Sequence, residues 1–252
     1  MRRRPLLIYL AGSPPEPVAA RHGDFARWFR ELASGRPVEI EVCDGVRGER
    51  PPAARALAGI VITGSPASLT APEPWMEEAI ALVRGGFEAG TPVLGVCFGH
   101  QVIGAAFGAE VIRNPKGWEM GTWEVELCEP GQSDPLFRDL PSRFAANFSH
   151  QDVVDADTVS PGNGLRVLAR NARAEVQAVA AGDAVRGVQF HPEFSEAITR
   201  DYIRVRADSL REDARARGAI DDEPERLLDR VGDGAHGRRV FETFLDEFVL
   251  RG

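Results

Sequence analysis

The chain has 252 residues, 43% of them hydrophobic and 27% charged, with 30 basic against 38 acidic side chains and a net charge of −8. That suits one large domain or two small ones with a real core, and the acidic surplus argues against a nucleic-acid partner. Three cysteines (Cys43, Cys97, Cys128), widely spaced and without a CxxC pair, exclude a disulfide framework or a cysteine zinc site and point to a reducing, cytoplasmic setting.

The basic head of residues 1–4 followed by Leu6 to Ala11 loosely mimics a secretory leader. The apolar run is too short and two prolines follow it, so the segment Pro5–Leu10 reads as a first buried strand. Asp24–Leu32 places Phe25, Trp28, Phe29 and Leu32 at helical spacing. Strand patterns follow at Val38–Cys43 and Leu57–Thr63, a helix at Pro74–Glu88, a short strand at Pro92–Val96 and a small-residue helix at Gly99–Phe107. Such alternation predicts an α/β fold with an open, mostly parallel, flavodoxin-like sheet and helices on both faces. The second half has strand candidates at Trp123–Leu127, Val167–Ala169, Val176–Ala180 and Val185–Phe190. Residues 200–239 hold ten arginines and ten acids and read as a solvated helical excursion with a glycine-rich loop, or as a partner-docking element. Phe241–Val249 returns to one apolar helical face. There is no internal repeat, and the expectation is one domain over residues 1–252. The apolar runs are strand-sized, so no membrane span is expected. Lys116, the only lysine, lies outside any Walker-type phosphate loop.

Three segments carry chemistry. Gly95-Val96-Cys97-Phe98-Gly99 sits between a strand and a helix with the spacing of a nucleophile elbow. A thiol at a helix N-terminus is favoured as thiolate, and the Phe98 N–H would face a developing oxyanion. The plainer alternative is a buried structural cysteine. In Val188–Phe194, His191 and Glu193 flank Pro192. On an extended segment, residues two apart project to the same side, so the carboxylate would orient the imidazole. The alternative is a His and a Glu at a strand end. The third, Thr63-Gly64-Ser65-Pro66, ends a buried strand and could supply a second backbone donor, or could be a simple turn. His100 reads as structural, His22 and His236 as solvated loop residues, and Cys43 and Cys128 as small buried hydrophobes. Trp118 and Trp123 would line a pocket or pack an edge strand. Five histidines without an HxH or HExxH pattern give no metal site.

Together the segments ITGSPAS, GVCFGHQ and QFHPEF resemble the class I glutamine amidotransferases, in order through most of residues 1–195. The resemblance implies Cys97 as nucleophile, His191 as base and acid, and Glu193 as orienter. It implies the Ser65 and Phe98 N–H groups as oxyanion donors, and Gly64, Gln101 and Ser149-His150-Gln151-Asp152 as the substrate-holding stretches. The implied activity is hydrolysis of a γ-glutamyl amide, glutamine to glutamate plus ammonia, through a thioester and without a cofactor. Where relatives have Gly-Gly-Pro, this chain has Gly64-Ser65-Pro66, and it holds no SGGxDS nucleotide loop. The stretch Asn114–Glu124 and Gly12-Ser13-Pro14-Pro15 resemble the stand-alone GMP-synthase-like subgroup, near the γ-glutamyl peptidases. A separate ammonia-accepting synthase, a stand-alone γ-glutamyl peptidase, and an idle binding or regulatory protein on the same fold are the readings that follow.

Overall fold

A computed structural model describes residues 3–251; the first two residues of the basic head and Gly252 lie outside them. The strands are β1 (Leu6–Leu10), β2 (Ile40–Asp44), β3 (Gly59–Ile62), β4 (Val93–Val96), β5 (Val111–Arg113), β6 (Glu119–Leu127), β7 (Arg143–His150), β8 (Asp152–Val154), β9 (Leu165–Arg170), β10 (Ala178–Ala181) and β11 (Val185–Val188). The helices are α1 (Glu16–His22), α2 (Phe25–Leu32), α3 (Pro74–Ala89), α4 (Phe98–Ala106), α5 (Glu129–Gln132), α6 (Glu196–Val205), α7 (Ala207–Arg217), α8 (Pro224–Asp229) and α9 (Ala235–Thr243).

Nine strands form one sheet in the order β2-β1-β3-β4-β11-β10-β9-β6-β7. Neighbours run parallel from β2 through β11 and antiparallel from β11 through β7. The expected α/β sheet is therefore present, with the parallel half grouped around β4. β1 shows why both faces are covered. Leu6 and Ile8 enter one apolar cluster with Phe29 and Phe241, while Leu7 and Tyr9 enter another with Met76, Leu82 and Ile103. Alternating side chains that are all apolar require helices above and below.

Local signals set the helix starts. The Asp24 carboxylate caps α2 by accepting from the Arg27 N–H at 2.8 Å, a contact worth about 1 kcal/mol. α3 has Pro74 in its first turn and stops at Gly90, φ 65°, the left-handed angle glycine takes without penalty.

The second half departs from the sequence pattern. β6 begins at Glu119 rather than Trp123. β7, which the sequence pattern does not single out, puts Phe144, Ala146, Phe148 and His150 on one buried face. β5 and β8 form a separate antiparallel pair. Residues 200–239 are helical but not merely solvated. Tyr202, Ile203, Leu210 and Leu227 bury themselves with Val18, Phe25, Trp28 and Phe194 in a third cluster. Helix α9 begins at Ala235, inside the expected glycine-rich loop, and Phe244–Val249 continue it as a wider π-type turn. Among the described residues, no helix is long and apolar enough to cross a membrane.

Gly95 and Gly99 let β4, α4 and β3 approach. A Cβ on Gly99 would lie 2.3 Å from the Ile62 carbonyl oxygen, and one on Gly95 would lie 2.3 Å from the Gly99 oxygen. Gly99→Ala is predicted to lower stability by roughly 1–3 kcal/mol. Gly85→Ala, in mid-helix with only the Ala54 Cβ at 3.8 Å, should raise it by ~0.4–1 kcal/mol. Urea midpoints at constant slope decide both.

Candidate active site

Cys97 occupies the turn between β4 and α4 with φ 53° and ψ −101°. It is the one described non-glycine residue with positive φ. Such an angle costs on the order of 1–3 kcal/mol and persists only where the surroundings impose it. Here the Cys97 N–H donates to Val188 O at 2.9 Å, its carbonyl accepts from the Gln101 N–H at 3.2 Å, and the two glycines press strand and helix together. The residue is 4% exposed, with Sγ 3.8 Å from the Ser149 carbonyl oxygen.

His191 arrives from the other side of β4, beyond the end of β11. Its Nδ1 is 2.8 Å from Glu193 Oε1. The segment is not extended as the sequence suggests. The Phe194 N–H donates to His191 O at 3.3 Å, a turn that folds Glu193 back under the ring. The His191 N–H donates to Asn147 O at 2.8 Å, and the Phe194 ring stacks on the imidazole at 3.9 Å and 12°. Nε2 is buried with no hydrogen-bond partner of its own, and Cys97 is near enough to act on the ring electrostatically. Burial alone would push the imidazole pKa down. The Glu193 carboxylate and the Cys97 sulfur outweigh it and hold the pKa above its ordinary 6.5.

Gly64 closes the triangle. A Cβ there would meet His191 Cε1 at 2.9 Å and lie 3.7 Å from the Cys97 Cβ. Three segments distant in sequence thus converge, each at the carboxyl end of a parallel strand, where open α/β sheets place their ligands. Ser65 accepts from the Ala67 N–H through its hydroxyl at 3.0 Å.

A cavity of about 130 Å³ opens beside Cys97, with Ser65, Phe98, Gln101 and the Ser149–Asp152 corner in its wall. Gln101 donates from Nε2 to Asp152 O at 2.9 Å and to Gln189 Oε1 at 3.3 Å. His150 sits with Nε2 3.0 Å from the fully buried Glu119 carboxylate and Nδ1 3.0 Å from Asp152 O. Their side chains therefore hold the corner's backbone in place. The Gln151 carbonyl accepts from the Asn114 N–H at 2.8 Å, and the Asp152 carboxylate contacts Ser68 Oγ and, at 3.3 Å, Arg113. A smaller adjoining cavity of about 20 Å³ is lined by His191, Tyr202, Arg206 and Ser13.

Sequence reasoning missed Arg113, Arg206, Tyr202, Phe194 and Glu119. No motif marks Arg206 among the ten arginines of its segment. His100, fully buried, has its pKa pushed down to about 3 by burial and by His150 and packs as a neutral ring against Gly187. His22 is not a solvated loop residue: it ends α1 with Nε2 2.9 Å from Asp201. His236 is exposed but on α9. Cys128 is half-buried at a helix start, not in the core, while Cys43 is buried. The Cys43 thiol pKa is pushed up to about 11 by burial and the acids Glu49, Asp44 and Glu41. Trp123 packs between Arg173 and Arg230, each 4.9 Å from its ring. Among the described residues no group of three or more His, Cys, Asp or Glu side chains could hold a metal ion.

The sequence profile described as "Glutamine amidotransferase class-I" matches residues 34–204. The chain is 38% identical over 168 residues to a GMP synthase (glutamine-hydrolyzing) of Aeropyrum pernix, which covers 67% of this chain but only 30% of that protein. It is 33% identical over 184 residues to a glutamine-hydrolyzing GMP synthase subunit of Methanoculleus marisnigri, covering 72% of this chain and 89% of that one. Similar folds occur in a glutamine amidotransferase from Methylobacillus flagellatus (TM-score 0.78, 21% identity, 97% of this chain and 95% of that one). Another is a glutamine amidotransferase from Thermotoga maritima (TM-score 0.72, 20% identity, all of both chains).

Because the folded protein holds the His191 proton more tightly than an unfolded chain does, this pairing stabilises fully below pH 6.5. The contribution is lost as the pH rises through the raised value. Glu193→Gln should lower the imidazole pKa by roughly one to three pH units, read by NMR titration of the ring; an unmoved titration would remove Glu193 as the cause.

Proposed function

The chain belongs to the class I glutamine amidotransferase family, and on that premise we propose that it hydrolyses a γ-glutamyl amide, glutamine being the simplest, with Cys97 as nucleophile. The observation that supports this most is the meeting of Cys97, His191 and Gly64 from separate strand ends.

In this reading the Cys97 thiolate attacks the side-chain carbonyl carbon. The Ser65 and Phe98 N–H groups hold the oxyanion, and losing one such donor typically costs about 10²–10³ in rate. His191, kept protonated by Glu193, gives its proton to the departing nitrogen as the C–N bond breaks. Water, deprotonated by the now neutral His191, cleaves the γ-glutamyl thioester to glutamate and free thiol. The Ser149-His150-Gln151-Asp152 corner and Gln101 hold the glutamyl end. Every group needed comes from the chain, so the chemistry requires no cofactor, and a thiolate nucleophile suits the reducing cytoplasm. We take residues 1–252 to act as a single amidotransferase unit.

The Aeropyrum relative is a GMP synthase more than three times as long as the matched region. By analogy, the released ammonia would pass to a separate synthase. An idle binding or regulatory role fits less well, since a buried imidazole held charged beside a thiol serves no packing purpose.

Purified protein given glutamine should release glutamate, and Cys97→Ala should lower the rate by at least about 10³-fold. Glutaminase activity persisting in Cys97→Ala would overturn the nucleophile. A glutamine analogue with an electrophilic γ-carbon should label Cys97, located by peptide mass.

A further inference from the structure

Asn147 puts a carboxamide where a strand has little use for one. It lies inside β7, opposite Thr122 of β6, and is fully buried. An amide in that position costs free energy unless its hydrogen bonds are made, and here they are. Oδ1 accepts from the Thr122 hydroxyl at 2.6 Å, while Nδ2 donates to Phe194 O at 3.3 Å and to Gly232 O at 3.5 Å. Both carbonyls can only accept, so the nitrogen must face them and the amide has one orientation. The Thr122 hydroxyl accepts in turn from the Gly232 N–H at 2.8 Å, which leaves its own proton for Asn147 Oδ1. The donors therefore run one way, from Gly232 through Thr122 to Asn147 and on to Phe194.

These partners frame the turn that carries His191 and Glu193. At its start, the Asn147 carbonyl takes the His191 N–H at 2.8 Å. At its end, the Asn147 side chain takes the Phe194 carbonyl. One residue thus holds both ends of a four-residue turn, and Glu193, 2.8 Å from the imidazole, lies between them. The pinned backbone also carries the Phe194 ring, the face on which the imidazole stacks. The loop ahead of α9 closes the clamp from outside. A Cβ on Gly234 would lie 2.5 Å from Asn147 Nδ2 and 3.0 Å from Phe194 O, so the amide has no room to turn away. Asn147 lines neither cavity beside Cys97, so it acts only through the turn it holds.

We propose that Asn147 is a positioning residue for the hydrolysis described above: by holding both ends of the 191–194 turn, it sets the His191 ring where its proton must pass to the departing nitrogen. This rests on the hydrolytic reading. Thr122 orients the amide and the 232–234 loop backs it. Ser149 and His150 lie two and three residues further along β7. A general loosening of that strand would therefore disturb the glutamyl corner as well, whereas loss of the clamp would spare it. Asn147 governs turnover rather than substrate affinity.

Steady-state kinetics on glutamine separate the two. Asn147→Ala should lower kcat about ten- to a hundredfold, the cost of a group displaced by roughly 1 Å, with KM changed by less than about threefold. Thr122→Val keeps the shape and removes the hydroxyl; it should lower kcat about three- to tenfold, the scale of one hydrogen bond. Thr122→Ser restores the hydroxyl and should recover most of that loss. NMR titration of the His191 ring gives a second reading. It should move down toward 6.5 in Asn147→Ala and Thr122→Val, since a loosened turn carries Glu193 away from the ring, and should stay in place in Thr122→Ser. An unchanged kcat in Asn147→Ala and Thr122→Val overturns the proposal, as does a KM that rises as much as kcat falls. A ring titration unmoved in both variants overturns it whatever the activity. Should Asn147→Ala not fold, the two Thr122 variants carry the test. Wild-type protein that neither releases glutamate nor takes label at Cys97 defeats the hydrolytic reading, and the ring titration then decides the clamp by itself.

Discussion

Cys97 sits on backbone that an isolated chain would leave. Its φ of 53° is sustained by the Val188 carbonyl on one side, the first turn of α4 on the other, and by glycine at 95 and 99, where a Cβ would run into backbone oxygen 2.3 Å away. The strain and the close packing imply one another. Relax either, and the thiol leaves the mouth of the sheet and α4 loses its seat on β3. Core packing density is what makes such a turn tolerable.

From that turn the remaining geometry follows. β11 lies beside β4 with Gly187 against Gly95 and Val188 against Val96, so the chain leaving β11 must pass Cys97 within a few residues. His191 is there, steadied by Phe194 and Glu193. The antiparallel half contributes the floor: β7 brings Ser149 to the sulfur and β8 brings Asp152 to the cavity. The electrostatics are local: the Glu193 carboxylate and the Cys97 sulfur both favour the charged form of one buried ring, against the pull of burial.

The parallel half is legible in the sequence because most of its strands are short and apolar (β2, with Glu41 and Asp44, and β11, with Arg186, depart from that), and because its helices repeat at a clean interval. The site motifs are legible for a related reason: a tight turn admits few residues, so GVCFG and QFHPE carry much information per position. The antiparallel half is not. β7 alternates, with Phe144, Ala146, Phe148 and His150 buried, but its apolar face is short on large side chains and Asn147 is buried on the other. The His191 turn reads wrongly as extended because proline favours extended neighbours locally, while the hydrogen bond back to His191 is decided by packing under Phe194. The charged segment hides its core. Tyr202, Leu210 and Leu227 are widely spaced in sequence and become adjacent only when α6, α7 and α8 fold over α2. Arg206 is invisible for the same reason, since its place over the Trp118 ring beside Cys97 is a property of three dimensions.

Phe194 belongs to two parts of the molecule at once. It is the face on which the imidazole rests, and Ser195, the next residue, caps α6 by accepting from the Ile198 N–H at 3.3 Å. The ring also touches Trp28 and Tyr202, so it is mortared into the outer helices as firmly as into the sheet. Those helices therefore form a single lever with the support of the His191 ring. Any swing that unroofed the pocket would tilt the imidazole in the same stroke, and admission of solvent and loss of alignment would be one mechanical event rather than two.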